Sequence, residues 1–326
     1  MAARVLEWHA RGGQNALNTL GTFVRLATLH RLDAEQRAYL DRVAKFCYGN
    51  PYSTDRGRAI NAILEARGLP ANRDPYAIAA GVAARLKVFE QNGVARLDDF
   101  AARDRDGIEA AFAWLAYTAF VDEMDAFIAA DAKAGKTLRL PFLDRYFALM
   151  SERGFEDETA TLCRGFFIQL RRTFCFIEQN LPGSSRAMEG FREALWNNVL
   201  TFDRKIYATR IWRRMGDFST LLLGETGTGK GSAAAVIGQS GFIPCNRASK
   251  RFQASFTQSF VSLNLCQFPE SLIESELFGH RKGAFTGAIS DHFGALARCN
   301  EFGALFLDEI REEGVPVQVR LLLVPS

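Results

Sequence analysis

The feature that most constrains the fold is a glycine-rich turn formed by Gly224, Glu225, Thr226, Gly227, Thr228, Gly229 and Lys230. It follows the pattern G-x-x-x-x-G-K, with an apolar run at 219–223 that predicts a buried strand and a segment at 232–237 that predicts the start of a helix. In that context the backbone N–H groups and the helix N-terminus can face an anion, and Lys230 can reach the β- and γ-phosphates. The pattern predicts an ATP site, and the alternative is a glycine-rich turn with a solvated lysine.

One position departs from the usual pattern of such loops. Gly231 follows the lysine, where many P-loops carry a Ser or Thr that binds the metal, and Ser232 comes one residue too late for that role. We include Gly231 in the predicted nucleotide-binding segment.

A second candidate site element is a pair of carboxylates after an apolar run. Residues 304–307 predict a strand, and Asp308 and Glu309 follow it directly. Beside a P-loop, the first carboxylate holds Mg²⁺ directly or through water, and the second polarises the attacking water. The sequence therefore predicts Asp308 as the metal ligand and Glu309 as the catalytic residue.

The periodicity of apolar residues divides the chain in two. Segments before about residue 215 have helical period, as in 108–134, where one apolar stripe ends at Gly135. Strands and helices alternate after that point, which predicts a parallel sheet with ligands at its carboxyl ends. We expect an all-α domain at 1–215 and an α/β domain at 216–326.

Composition excludes several classes of protein. The net charge of +3 over 326 residues gives no strong electrostatic case for binding nucleic acid or a membrane surface. The six cysteines form no C-x-x-C pair, which argues against zinc and against a secreted disulfide framework. No apolar run approaches the roughly 20 residues of a membrane helix. We expect a cytoplasmic protein with no membrane partner.

Residues from about 217 to 324 resemble the AAA+ domain of sigma-54-dependent transcription activators, the bacterial enhancer-binding proteins. Three motifs match in order: the turn at 224–230, the segment 274–280 that leads into a small-residue loop, and the strand with its carboxylates at 305–310. The loop is nearly diagnostic, and it consists of Gly283, Ala284, Phe285, Thr286, Gly287 and Ala288.

This resemblance implies a P-loop AAA+ parallel sheet, ATP and Mg²⁺ as cofactors, and sigma-54 RNA polymerase as the partner. It gives the 283–288 loop, with Phe285 and Thr286, the role of contacting sigma-54. Asn264 matches the family asparagine that holds the catalytic glutamate, here Glu309, until the nucleotide state changes. A homo-oligomeric ring is the implied assembly of the full-length form.

The sequence also departs from the family pattern. Gly231 replaces a glutamate, Leu323 replaces an arginine, and about a dozen residues around 242–256 look inserted. The family's arginine finger, lid and DNA-binding domain do not occur before Ser326, so we expect hydrolysis by this chain alone to be slow or absent. A non-catalytic nucleotide-binding or interaction protein is the alternative, and the 283–288 loop speaks against a P-loop kinase.

Overall fold

The computed structural model describes residues 29–65, 75–201, 206–285 and 287–310. Within these ranges, the part before residue 202 is all helical apart from short 3₁₀ turns, loops and the residues of two isolated bridges, His30 with Phe100 and Arg139 with Arg251. Its helices are α1 (Ala34–Tyr48), α2 (Thr54–Glu65), α3 (Pro75–Gln91), α4 (Arg105–Ala119), α5 (Val121–Ala134), α6 (Leu143–Glu152), α7 (Asp157–Asn180) and α8 (Arg186–Leu200). None of the described helices is long and apolar enough to cross a membrane.

The stretch predicted as one helix over 108–134 is two helices. They meet at Phe120, whose backbone (φ −119°, ψ 10°) leaves the helical region. In the sequence, the apolar residues Ala119 and Met124 are five positions apart, and a continuous helix does not place residues with that spacing on one face. The end at Gly135 is as predicted, since this glycine adopts the left-handed conformation (φ 58°) that favours a helix C-cap.

The α/β part contains a parallel strand pair. Strand β3 (Phe260–Asn264) runs beside β4 (Ala304–Asp308), with Phe260 opposite Ala304 and Asn264 opposite Asp308. Helix α9 (Lys230–Gln239) packs on one face of the pair. The other face packs against helices α10 (Glu270–Phe278) and α11 (Ala295–Arg298). These elements confirm the predicted P-loop helix, the second strand, the next helix and the strand that ends in carboxylates.

The apolar run at 219–223 is not the buried strand that we expected. It has no regular secondary structure, and Leu221 and Leu223 are 71% and 84% exposed. A strand must pair its backbone with a neighbour and cover its side chains. Among the described residues, β3 and β4 form the parallel pair, and neither of them pairs with this run. The run therefore has no strand partner there, despite its apolar composition.

The polar composition of residues 242–259 predicts a loop, but the segment contains a short antiparallel hairpin. Strand β1 (Cys245–Asn246) pairs with β2 (Arg251–Phe252). The hairpin lies against the helical part, where the Leu140 N–H donates to the Lys250 carbonyl at 2.9 Å. Its polar sequence does not reveal this, because the contacts that hold the hairpin come from residues far away in the chain, such as Leu140.

One hydrophobic core extends from the helical part into the α/β part. Buried residues from Leu32 to Phe256 form a single cluster, and this cluster includes Ala233 and Val236 of α9. The domain boundary near residue 215 stays a prediction.

Candidate nucleotide-binding site

The glycine-rich turn leads directly into helix α9. Gly227 (φ 82°) and Gly229 (φ 88°) adopt the left-handed backbone region, which a glycine enters without steric cost. Thr228 closes the turn by donating from its hydroxyl to the Glu225 carbonyl at 2.7 Å. Gly229 is the N-cap of α9 and has no side chain to occupy the first N–H groups of the helix. Those groups are therefore available to an anion.

The Lys230 side chain folds back over this turn. Its Nζ donates to the carbonyl oxygens of Gly224 at 3.1 Å and Glu225 at 3.0 Å. An ammonium group has three N–H donors. Two of them hold the lysine against the loop, and the third can serve a phosphate oxygen.

Gly231 lies in the first turn of α9 and faces open space. A Cβ built on it meets no atom within 4 Å. The missing Ser or Thr is therefore not excluded by crowding. A metal ion at this position would take a water in place of the hydroxyl ligand.

The direction of α9 brings the turn to the end of β4. Gly238, in the last turn of α9, sits against Phe260 and Ala304, the first residues of β3 and β4; a Cβ on Gly238 would lie 2.3 Å from the Phe260 ring. From there the helix rises about 12 Å to Lys230, and β4 rises about 13 Å to Asp308. Helices in α/β layers run roughly antiparallel to the strands that they cover, so we infer that Lys230 and Asp308 stand at the same edge of the sheet.

The two predicted carboxylates end β4 in an unusual backbone conformation. Glu309 has φ 57°, the left-handed region that costs a non-glycine residue on the order of 1 kcal/mol. Its N–H donates to Asp308 Oδ1 at 3.1 Å. Strained backbone of this kind is found at functional sites, where it fixes the direction of a side chain.

Asn264 stands across from Asp308 at the same edge. Its Oδ1 accepts a hydrogen bond from the Cys266 N–H at 3.0 Å. The hydrogen bonds of the described residues do not include one between Asn264 and Glu309. Its role as a holder of the glutamate stays a prediction, although the fold brings both residues to one place.

The loop predicted to contact a partner projects from a closed base. His280 and His292 exchange both backbone hydrogen bonds, at 3.0 and 2.8 Å, and Gly283 donates to the Ala288 carbonyl at 2.9 Å. Phe285 is 44% exposed and its ring centroid lies 4.8 Å from that of His280. Ala288 is buried, and Gly287 adopts a left-handed φ of 103°. Thr286 lies outside the described residues.

Three side chains of α7 hold the region just after α9, and the sequence did not single them out. Arg164 donates to the Cys245 carbonyl at 3.0 Å. Gln169 donates to the Ser240 carbonyl at 2.9 Å. Arg172 donates to the Gly241 carbonyl and is 1% exposed, and burial lowers its pKa to about 10.

Comparison with known proteins places the α/β part in a family. Residues 204–325 match the model of the Sigma-54 interaction domain. The chain is 38% identical over 148 residues to the transcriptional regulatory protein GlrR of Escherichia coli (strain K12), which is 45% of this chain and 30% of GlrR. It is 38% identical over 179 residues to the anaerobic nitric oxide reductase transcription regulator NorR of Citrobacter koseri, covering 52% of this chain and 32% of NorR.

A third relative carries the family function in its name. The Sigma54-dependent transcriptional activator SfnR of Pseudomonas putida is 45% identical over 106 residues, which is 32% of this chain and 25% of SfnR. The chain thus spans a quarter to a third of the length of these relatives. Residues 204–325 thus match the sigma-54 interaction domain family, the AAA+ ATP-binding domain of sigma-54-dependent transcription regulators.

Proposed function

We propose that this chain binds ATP with Mg²⁺ and that, in the full-length form, hydrolysis is coupled to the remodelling of sigma-54 RNA polymerase. The observation that supports the proposal is the contact of the last turn of α9 with the first residues of β3 and β4, from which α9 leads back to the glycine-rich turn. Residues 224–231 hold the phosphates, Asp308 holds the metal ion, and Glu309 orients the attacking water with Asn264 nearby.

The partner surface in this proposal is the 283–288 loop. Its closed base and half-exposed Phe285 offer a large apolar anchor at the end of a short projection. The protein acts in the cytoplasm, with the transcription machinery, and assembles as a homo-oligomeric ring. In this proposal residues 1–215 form a helical regulatory or interaction domain, and residues 216–326 form the ATPase domain.

Capture of purified sigma-54 in the presence of Mg²⁺, ADP and aluminium fluoride tests the proposal. The wild-type protein retains sigma-54, and Thr286→Ala loses it while its ATP affinity stays within about a factor of two, because a loop residue outside the pocket makes no phosphate contact. A collapse of ATP affinity in Thr286→Ala would show that the loop belongs to the nucleotide pocket.

A second candidate is a non-catalytic nucleotide-binding or interaction protein. The exposed, unpaired run with Leu221 and Leu223 before the glycine-rich turn favours it, because this run leaves the turn without a sheet strand behind it. Steady-state phosphate release by the full-length form, measured with sigma-54 present, separates the two. An ATPase releases phosphate above the level of Glu309→Gln, whereas a non-catalytic protein gives the same background as that variant.

A further inference from the structure

A large cavity lies in the helical part, away from the nucleotide site. It has a volume of about 1120 Å³ and opens between α1, α2, α4, α7 and α8. Small-molecule sites in proteins are typically apolar clefts of about 300–1,000 Å³ with a few polar groups. The aromatic side chains that line this cavity include Phe46, Tyr52, Trp114, Tyr117, Phe174 and Trp196.

Arg56 places a positive charge in the cavity wall. Its guanidinium carbon lies 4.4 Å from the centroid of the Phe46 ring, and its Nη1 donates to the Gly49 carbonyl at 3.2 Å. Burial lowers the pKa of this guanidinium, and the groups that act against the shift are a thiol, Cys47, and two phenols, Tyr117 and Tyr52. Within the described residues, no carboxylate forms an ion pair with Arg56.

The other arginines that line the cavity are engaged. Arg58 pairs with Asp55 at 2.7 Å, and Arg171 makes two bonds to the Asp125 carboxylate. Arg192 donates to the Leu181 and Gly183 carbonyls. In the part of the chain that the structure describes, Arg56 and Arg192 are therefore the cavity-lining arginines without a carboxylate partner. Arg56 makes one backbone hydrogen bond, to the C-cap residue Gly49 of α1, whereas Arg192 makes three, so Arg56 keeps more N–H donors for a ligand. A partly buried charge without a counter-ion is destabilising unless a ligand supplies one.

A second group in the wall also lacks a partner. The indole of Trp114 is 7% exposed, and its Nε1–H finds no hydrogen-bond acceptor among the described residues. The ring stacks on Tyr117 at 5.4 Å and meets the Phe46 ring edge-on at 4.8 Å. A buried donor without an acceptor calls for an explanation, and an acceptor on a bound ligand supplies one.

We infer that this cavity binds a small aromatic carboxylate. The carboxylate pairs with Arg56 and supplies the missing counter-ion. The aromatic body packs among the rings of Phe46, Trp114 and Tyr117, and an acceptor on the ligand takes the indole N–H of Trp114. The arginine–carboxylate pair fixes orientation, and the apolar walls supply most of the affinity.

Helix α7 connects the cavity to the region of the nucleotide site. One side of α7 lines the cavity through Phe166, Leu170 and Phe174. The same helix holds the residues after α9 through Arg164 and Arg172. A ligand in the cavity would thus contact the helix on which the P-loop helix packs.

Calorimetric titration of the full chain with 2-naphthoate and with its neutral counterpart 2-naphthamide tests the inference. These probes share a ring system and differ in charge. We expect naphthoate to bind at least about tenfold more tightly than the amide, because only the carboxylate forms a charge-assisted pair with Arg56. Quenching of tryptophan fluorescence gives a second readout, since Trp114 and Trp196 line the cavity.

Arg56→Gln should weaken naphthoate binding by at least about tenfold and leave the amide unchanged. Arg85→Gln is the matched control. The Arg85 guanidinium also lies 4.4 Å from an aromatic centroid, that of Tyr39, but it pairs with Glu35 and does not line the cavity. This control should bind naphthoate as the wild-type protein does.

Three results would overturn the inference. They are equal affinities of the wild-type protein for naphthoate and naphthamide, unchanged naphthoate affinity in Arg56→Gln, and no saturable naphthoate binding up to millimolar concentration. If circular dichroism shows that Arg56→Gln does not fold, the comparison of the two probes on the wild-type protein decides the question.

Discussion

Replacing Phe256 by Ala should destabilise the whole described fold, because this side chain joins the α/β part to the helical part. Phe256 is 2% exposed, and its ring centroid lies 5.6 Å from that of Phe176 on α7. The Arg172 guanidinium lies 5.0 Å from the same ring. The ring thus covers an apolar surface and also stabilises a buried charge.

The magnitude follows from these contacts. Truncation of a buried Phe to Ala costs about 3–5 kcal/mol, and a desolvated cation–π contact of the kind made by Arg172 contributes about 2 kcal/mol. Because the two contributions overlap, we expect the free energy of unfolding to fall by about 4 kcal/mol. This corresponds to a fall in Tm of roughly 8 °C, at about 2 °C per kcal/mol for a large chain.

Urea denaturation followed by circular dichroism measures this change, and Phe293→Ala is the control. Phe293 is 75% exposed, so its truncation should alter the free energy of unfolding by no more than about 0.5 kcal/mol. If the free energy of unfolding of Phe256→Ala lies within about 1 kcal/mol of the wild-type value, the packing argument is refuted, because removal of a buried ring from a shared core costs more than that.

Three further predictions concern the site and its supports. Asp308→Asn should reduce the Mg²⁺ dependence of ATP binding in a calorimetric titration at several metal concentrations, and an unchanged dependence would remove Asp308 as the metal ligand. Gly238→Ala should lower the free energy of unfolding by about 1–3 kcal/mol, because the new Cβ meets the Phe260 ring at 2.3 Å, whereas Gly231→Ala in the same helix meets nothing and should not destabilise. Burial acts to raise the pKa of Asp104, but the hydrogen bonds from Arg37 and the Leu32 N–H outweigh it and hold that pKa below 3.8. The Asp104 carboxylate therefore stabilises the fold at pH values above its pKa in the unfolded chain, and this stabilisation is lost as the pH falls through its pKa in the folded protein. Asp104→Asn should remove this loss of unfolding free energy at low pH, and a variant with the same pH dependence as the wild-type protein would contradict the assignment.

The motifs with local physical causes were predictable from the sequence. A turn of glycines before a helix and a strand that ends in carboxylates depend on residues close together in the chain. Helix α9, strand β3 and strand β4 accordingly form where the pattern predicts them.

Elements that depend on distant partners were not predictable. The run at 219–223 has a strand's composition, yet a strand forms only when a neighbour pairs with it. The hairpin β1–β2 is the opposite case, in which a predicted loop forms strands. Its polar sequence suggests a loop, and its order comes from contacts with the helical part.

The buried arginines of α7 show a third limit. The apolar residues of this segment recur at helical spacing and predict one buried stripe that includes Leu162 and Leu170. Arg164 and Arg172 follow these two leucines by two positions each, about 200° around the helix. A one-sided pattern assigns that face to solvent, but both side chains are 1% exposed because the residues after α9 cover them. Helical periodicity alone cannot reveal a helix that is buried on two sides.

The most direct test of the nucleotide-site assignment is a calorimetric titration of the wild-type protein and of Lys230→Ala with ATP and Mg²⁺. A charge-assisted contact to phosphate contributes about 1.5–3 kcal/mol, so the account predicts saturable binding by the wild-type protein and an affinity about 10–150-fold lower in the variant. Equal affinities, or no ATP binding by the wild-type protein, would contradict it.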